Sequence, residues 1–269
     1  MNISAITAIF DAAQRGGRDV LLETEGLQVL AALELAAPAH VFVRDSGMVS
    51  AALLSPLPGD RAVVKVISPR ILHKSDVDGI AVVEKTVDAV AAAIDGMQRR
   101  LAAQGVVGYT INEFIPYSPA LGREILVGLR WTADVGPVVT VGAGGIYTEF
   151  LAKSFRPGRD VALLSPALAD PASVVAALQD VAVVQLVTTP LRGQPPLIAL
   201  EPIARLATAF LDLGRALGDR IAECEVNPFV IANDGRVMAL DILVTLRRAG
   251  AAARQADRPI AKLAHLLMP

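Results

Sequence analysis

The strongest constraint on the fold is a turn signal near the carboxy end of the chain. The residues Asn233-Asp234-Gly235 separate two strand-like runs, 225–231 and 236–244. Asn, Asp and Gly tolerate the left-handed backbone that tight hairpin turns need, so the two runs are predicted to fold back on each other as an antiparallel hairpin. The number of residues in the turn then fixes which side chains share a face.

Two polar residues of this hairpin are the first candidates for a metal site. With a three-residue turn and Gly235 in the left-handed conformation, Asn227 lies opposite Asp241 with Cβ atoms about 5 Å apart, and Glu225 follows on the same face. Amide and carboxylate oxygens suit Mg²⁺ held jointly with a nucleotide. A two-residue Asp-Gly turn would instead put Asn227 and Asp241 on opposite faces. An ordinary hairpin with polar residues on its wet face is the alternative interpretation.

The remaining pattern indicates an α+β chain with mostly antiparallel strand pairing. Strands and helices do not alternate strictly, and several neighbouring strands are joined by short turns, which argues against a doubly wound sheet. Apolar periodicity predicts helices over 3–15, 22–33, 86–104, 171–184 and 199–219. Strand-like runs occupy 39–43, 62–67, 80–84, 108–114, 123–130, 137–141, 225–231 and 236–244.

Composition argues against several function classes. The 269-residue chain has a formal net charge of -2 and no basic tract, so nucleic acid is not an expected partner. No apolar stretch of about 18 residues is free of charged or strongly polar side chains, and the first residues do not resemble a signal peptide, so we expect no membrane association and a cytoplasmic location. The single cysteine, Cys224, stands between two glutamates, which makes it a poor nucleophile.

Lys65 and the loop after it form a second group of candidates. Lys65 interrupts the apolar run 62–67, and the polar loop His73-Lys74-Ser75-Asp76 follows. A buried ammonium is costly unless it meets an anion, so Lys65 is a candidate phosphate contact; an edge strand from which it reaches water is the alternative. His73 could act as a general base or a phosphoryl acceptor, or could simply be solvated.

Two acids stand at the ends of apolar strands, Glu113 in TINEFIP and Glu124 in GREILVG. Backbone groups beside Glu113 could hold an adenine edge while a carboxylate accepts ribose hydroxyls, although surface charge is the ordinary expectation for such acids. The two common phosphate-loop signatures do not apply. Tyr147 stands where the third Rossmann glycine would fall, and no GxxxxGK[ST] occurs.

Taken together and in order, these segments resemble the ATP-grasp subunit or domain of the NDP-forming acyl-CoA synthetases, which are relatives of the β subunit of succinyl-CoA synthetase. The resemblance covers about Leu21 to Val244. Its landmarks are LLETEGLQVL, VVKVISPRILHKSDVDGI, GREILVG, DVGPVVTVGAGGIYTEFLAK, LRGQPP and ECEVNPFVI…ALDILV.

The resemblance implies an ATP-grasp fold, in which two lobes with mostly antiparallel sheets enclose a nucleotide cleft. The ATP-grasp domain would span 1–245, and 246–269 would be a linker or tail. The smaller lobe would be roughly 36–114, and the larger lobe would combine 1–35 with 115–245. The implied site residues are nucleotide contacts to ATP or ADP at Lys65, Glu113 and Glu124, and Mg²⁺ ligands at Asn227 and Asp241.

The implied activity is the nucleotide step of acyl-CoA + ADP + Pi ⇌ carboxylate + CoA + ATP. His73 falls where the ADP-forming acetyl-CoA synthetase branch has a histidine implicated in passing a phosphoryl group to the nucleotide. The reaction needs a CoA-binding α subunit or domain, so a hetero-oligomer is expected. Two alternatives are a degenerate regulatory module, which Asp78 in place of the family's usual glycine favours, and a stand-alone carboxylate–amine ligase of the same fold.

Overall fold

The computed structural model describes residues 1–145, 148–156 and 158–248. The strands, in chain order, are β1 (His40–Val43), β2 (Arg61–Ile67), β3 (Ile80–Glu84), β4 (Gly108–Glu113), β5 (Glu124–Thr132), β6 (Gly136–Ala143), β7 (Val161–Leu164), β8 (Ile221–Ile231), β9 (Val237–Ala239) and β10 (Ile242–Leu246). The helices are α1 (Ile3–Arg15), α2 (Glu23–Ala32), α3 (Ala51–Leu54), α4 (Val87–Arg100), α5 (Thr148–Ser154), α6 (Pro171–Asp180), α7 (Ala182–Thr188) and α8 (Leu200–Leu217).

The strands form two separate antiparallel sheets. A smaller sheet has the order β1-β4-β2-β3, and a larger one has the order β10-β8-β5-β6-β7 with β9 paired to β8. Each sheet packs against its own helices and has its own apolar core. The predicted α+β class with antiparallel pairing is therefore confirmed.

Helix α4 covers one face of the smaller sheet because its apolar side chains recur at helical spacing. The Thr86 hydroxyl caps the helix by accepting a hydrogen bond from the Ala89 amide. Val90, Ile94 and Met97 lie on one face of α4 and are buried with the side chains of the sheet. Each such side chain stabilises the lobe by about 1.5–3 kcal/mol when removed from water.

The larger sheet is covered by helices from both ends of the chain. Helix α8 packs on β5 and β6, and α2 packs on β10. The contact of α2 with β10 is close, since a Cβ added at Gly26 would lie 2.8 Å from Cγ2 of Ile242. This close approach sets the amino end of α2 beside the start of β10.

The carboxy-terminal hairpin has the three-residue turn, the first of the two turn lengths that the sequence allows. The Ala232 amide donates to the Arg236 carbonyl at 2.9 Å, and Gly235 has a left-handed φ of 85°. The register continues unchanged from β9 into β10 as far as Thr245, and the Asn227 amide donates to the Asp241 carbonyl at 3.3 Å. Asn227 and Asp241 are therefore directly opposite each other.

The other predicted elements are present with small changes at their ends. The predicted helix 171–184 is two helices, α6 and α7, and the predicted strand 236–244 is interrupted between β9 and β10. The sequence patterns missed α3, α5 and β7, which are short elements of four to seven residues. Strand β10 ends at Leu246, one residue beyond the predicted domain end, and most of the predicted tail 246–269 lies outside the described residues.

Within the described part of the chain, no single helix is long and apolar enough to cross a membrane. Helices α6 and α7 satisfy the length and composition only when joined, and they meet at an angle of 92°. Their buried side chains belong to the core of the larger sheet.

The packing of β1 on β4 leads to a testable prediction about Gly108. A Cβ at this residue would lie 2.5 Å from both the Val43 carbonyl oxygen and Cζ of Phe42, so Gly108→Ala should reduce the free energy of unfolding by about 1–3 kcal/mol. The matched control is Gly96→Ala inside α4, where the nearest atom is a flexible arginine end at 3.4 Å. This control should stabilise by about 0.5–1 kcal/mol. Urea unfolding followed by circular dichroism measures both, and equal midpoints would contradict the close strand contact.

Candidate functional site

Lys65 lies on a central strand and is almost fully buried. Strand β2 is flanked by β4 and β3, so the edge-strand interpretation of Lys65 is wrong. Its ammonium crosses to the larger lobe, where Nζ lies 2.9 Å from Oε1 of Glu23 and also donates to the Leu240 carbonyl. A buried lysine needs such an anion, because an unpaired ammonium out of water is strongly unfavourable.

Lys74 makes a second contact between the lobes. It follows His73 in the loop between β2 and β3, and its Nζ lies 2.8 Å from Oδ1 of Asp241 and 3.2 Å from Oε2 of Glu23. The contact with Glu23 has the distance of an ion pair without hydrogen-bond geometry, since Oε2 makes no hydrogen bond. Two lysines of the smaller lobe thus share one glutamate of the larger lobe.

Opposite charges at this contact between the lobes favour the ionised forms of Glu23 and Lys74. Burial by itself would raise the pKa of the Glu23 carboxyl, but the positive charges of Lys65 and Lys74 outweigh burial and hold that pKa below its ordinary value. Burial would likewise lower the pKa of the Lys74 ammonium, but Asp241 and Glu23 outweigh it and raise that pKa. Glu23 and Lys74 are therefore both ionised at neutral pH.

His73 lies in an exposed part of the same loop. It precedes a single 3₁₀ turn, Lys74–Val77, and its imidazole is accessible to solvent. Asp78 ends that turn with a left-handed φ of 51°, a conformation that Asp adopts more readily than most residues. A Cβ at Gly79 would lie 2.6 Å from Cγ1 of Val66, so the next position admits only glycine without a shift. The loop keeps the glycine-like backbone even though Asp78 replaces the first glycine.

Asn227 and Asp241 stand side by side on the hairpin, as expected for the three-residue turn. Asn227 Oδ1 accepts a hydrogen bond from the Gly145 amide at 2.8 Å, and Asp241 Oδ1 accepts from Lys74. Among the described residues, no group of three or more His, Cys, Asp or Glu side chains could hold a metal ion. One amide and one carboxylate fit a Mg²⁺ whose other ligands are phosphate and water, and they do not fit a closed calcium site.

Glu225 is the third polar residue, and the second acid, of this candidate group, and it is mostly buried. Burial and the neighbouring charge of Glu223 raise the pKa of the Glu225 carboxyl to about 7. Cys224, between these two acids, is fully buried, and burial followed by the same two charges raises the pKa of its thiol to about 12. The prediction that Cys224 is a poor nucleophile is confirmed.

Glu124 contacts the glycine loop GAGG, residues 142–145. The amide of the last residue of this loop, Gly145, donates to Asn227 Oδ1. Oε1 of Glu124 accepts from the Tyr117 hydroxyl at 2.8 Å, and burial together with this bond raises the pKa of Tyr117. A Cβ at Gly145 would lie 1.8 Å from Oε2 of Glu124, and Gly145 also has a left-handed φ of 72°. The GAGG segment is therefore needed for close packing between Glu124 and Asn227.

Glu113 ends β4 at the passage between the two lobes. Its Oε2 accepts from the Ala39 amide at 3.2 Å, and its Oε1 lies 3.8 Å from the Arg236 guanidinium. The carboxylate thus faces the chain segment that joins the lobes and the turn of the carboxy-terminal hairpin. Its predicted role as a nucleotide contact stays a prediction, as do those of Lys65, Glu124 and His73.

Sequence patterns did not identify Glu23, which has a central position in the structure. It is the first residue of α2, and acids in the first turn of a helix usually face water and the helix dipole. Glu25 performs that local function, because its Oε2 accepts from the Leu22 amide at 2.7 Å. Only the packing of α2 on β10 places Glu23 against the lysines of the other lobe.

Comparison with known proteins agrees with this fold. A family model described as the ATP-grasp domain matches residues 12–246. The chain therefore belongs to the ATP-grasp domain family.

Its curated relatives include ADP-forming CoA ligases. The 4-hydroxybutyrate–CoA ligase (ADP-forming) of Nitrosopumilus maritimus is 27% identical over 255 residues, which cover 91% of this chain and 34% of that enzyme. The β subunit of the acetate–CoA ligase (ADP-forming) I of Pyrococcus furiosus is 26% identical over 233 residues, which cover 84% of this chain and 91% of that subunit. The chain spans about a third of the first relative's length and nearly all of the second's.

Solved structures share the architecture. A dinucleotide forming acetyl-coenzyme A synthetase 1 from Ca. Korarchaeum cryptofilum, in complex with coenzyme A, Ca-AMPCP and HgCl+, has a TM-score of 0.72 at 26% identity and covers 88% of this chain and 97% of the matched chain. PH1788 from Pyrococcus horikoshii has a TM-score of 0.77 at 20% identity, over 91% of this chain and 99% of that one. The second likeness concerns the fold alone.

Glu225 gives a prediction about pH. Its carboxyl has a pKa of about 7 in the folded chain against an ordinary 4.5, so the unfolded chain ionises first. Stability from this group is fully present below pH 4.5 and is lost as the pH rises to 7, by about 3 kcal/mol at most. Glu225→Gln should remove that loss and be the more stable form at pH 8.

The measurement is urea unfolding at pH 5 and pH 8 in EDTA, with Glu84→Gln at an exposed strand end as the control. The control should keep the pH dependence of the unchanged chain. A Glu225→Gln variant with that same dependence would show that Glu225 is not the responsible group.

Proposed function

We propose that this chain is the nucleotide-binding β component of an ADP-forming acyl-CoA synthetase, and that it transfers a phosphoryl group between a phosphohistidine and ADP bound with Mg²⁺. The observation that most supports this is the 2.8 Å contact between Lys74 and Asp241. It brings the loop that follows His73 and the candidate metal hairpin, which belong to different sheets, to one place between the lobes.

The residues have complementary tasks in this proposal. Lys65 and Lys74 offset the negative charge of the phosphates, and Asn227 with Asp241 would hold Mg²⁺, which supplies further charge neutralisation when bound. Glu113 and Glu124 would contact the nucleoside end. Their placement on strand ends fixes them on rigid elements.

The phosphoryl step itself is a displacement at phosphorus. In the direction of ATP formation, the bond between phosphorus and an imidazole nitrogen of His73 breaks, and a bond to a β-phosphate oxygen of ADP forms. The ring leaves as neutral imidazole, because its other nitrogen holds a proton. Solvent exposure of His73 suits a group that must receive the phosphoryl group from elsewhere.

The proposal includes a CoA-binding partner. The relative from Pyrococcus furiosus is named as a subunit, and the relative from Nitrosopumilus maritimus is about three times as long as the matched segment. Both are compatible with a nucleotide-binding piece that works with a CoA-binding α subunit or domain. Selection of the acyl group would then lie mainly in that partner.

The metal assignment predicts how Asp241→Asn changes nucleotide binding. Removing the carboxylate charge should weaken the hold on Mg²⁺, so the gain in ADP affinity on adding Mg²⁺ should fall at least tenfold. Titration calorimetry with ADP, with and without Mg²⁺, measures this gain. Asp234→Asn in the exposed turn of the same hairpin is the matched control and should keep it. An unchanged gain in Asp241→Asn would remove Asp241 from the metal site.

The relay assignment predicts where phosphate label is found. Incubation with [γ-³²P]ATP and Mg²⁺ should leave acid-labile label on the unchanged chain, and the label should pass to the CoA-binding partner when that is added. His73→Ala should lose at least 90% of the label, while His40→Ala, a histidine of β1, should keep it. Equal labelling of both variants would exclude His73 from the relay.

A further inference from the structure

A group of four charges, three of them buried and Asp241 partly exposed, connects the two lobes. Lys65 and Lys74 come from the smaller lobe, and Glu23 and Asp241 come from the larger one. The two lysine side chains are 8% and 7% exposed, and the Glu23 side chain is only 2% exposed. Glu23 has no part in the proposed function so far, although it is the most buried member.

The group is electrically balanced without any ligand. Two ammonium groups face two carboxylates, so the formal charges of the four side chains sum to zero. A polyphosphate that approached Lys65 and Lys74 would add negative charge where the positive charge is already matched. It would also need room beside ammonium groups that have little contact with solvent.

The contacts of Glu23 indicate that its carboxylate is the anion that a bound polyphosphate would displace. Its bond to Lys65 is 2.9 Å, whereas its contact with Lys74 is 3.2 Å and lacks hydrogen-bond geometry. Glu25 already provides the local cap of α2 and pairs with Arg18 at 2.6 Å. The buried position of Glu23 therefore serves the two lysines and not the helix.

We propose that Glu23 is an internal anion that Lys65 and Lys74 hold in place of a phosphate, and that the polyphosphate of the nucleotide displaces it. This inference rests on the proposed function for the identity of the ligand. The lysines exchange one carboxylate for phosphate oxygens, and Lys74 can then release Asp241. Glu23 thus lowers the affinity for nucleotide and, in the unliganded chain, supplies the carboxylate that pairs with the buried Lys65, since Lys74 also has Asp241.

The test compares Glu23→Gln with Glu25→Gln by titration calorimetry with Mg²⁺ and ADP. Removing the Glu23 charge leaves the lysines in excess, so Glu23→Gln should bind Mg·ADP at least tenfold more tightly than the unchanged chain. Glu25→Gln removes an acid two residues away on the same helix and should bind like the unchanged chain. If the unchanged chain binds Mg·ADP, equal or weaker binding by Glu23→Gln would overturn the inference while leaving the proposed function in place.

A second readout uses no nucleotide. Acetic anhydride labelling followed by mass spectrometry measures the accessibility of Lys65 and Lys74. Both should be protected in the unchanged chain, labelled at least fivefold faster in Glu23→Gln, and protected again when tripolyphosphate is added. If no form binds Mg·ADP but tripolyphosphate restores protection, the proposed function fails and the inference stands. If tripolyphosphate gives no protection either, both fail.

Glu23→Asp covers the case in which Glu23→Gln does not fold. The shorter side chain keeps the charge but withdraws it from both lysines. It should therefore bind Mg·ADP more tightly than the unchanged chain, by at least threefold. Unchanged or weaker binding by this folded variant would also overturn the inference.

Discussion

The structure depends on the need of two buried lysines for negative charge. An ammonium group removed from water loses several kcal/mol of hydration, and only a well-placed anion makes its burial possible. Lys65 and Lys74 meet this need through Glu23 and Asp241, which belong to the other lobe. The same electrostatic requirement therefore joins the lobes at the phosphate site that we propose.

The carboxy-terminal hairpin places one half of this site. Its three-residue turn puts Asn227 opposite Asp241, and a shift of one residue would have turned one of them to the other face. The glycine loop then brings the Gly145 amide to Asn227, and Lys74 reaches Asp241 from the opposite lobe. The length of one turn thus decides whether Asn227 and Asp241 can meet Gly145 and Lys74, which are far away in the sequence.

Much of the fold was predictable because its signals are local. Periodic apolar residues identified α1, α4 and α8, and β-branched runs identified most strands. The elements that the sequence patterns missed or joined wrongly also have local explanations. Elements such as α3 and β7 are only four residues long, too short to show a period. The helix predicted over 171–184 divides at Val181, a residue with extended backbone that no proline or glycine announces.

The sequence by itself determined that a hairpin turn lies at 233–235, the unusual lysine in an apolar strand and the family, since each is written in adjacent residues or in ordered motifs. The length of the turn, and with it the register of the hairpin, is known only from the structure. Only the tertiary structure decided what Lys65 meets. Glu23 is 42 residues away and looks like an ordinary acid at the start of a helix. Its role arises from the packing of α2 on β10, and pairing across two lobes leaves no periodic signal in a single chain.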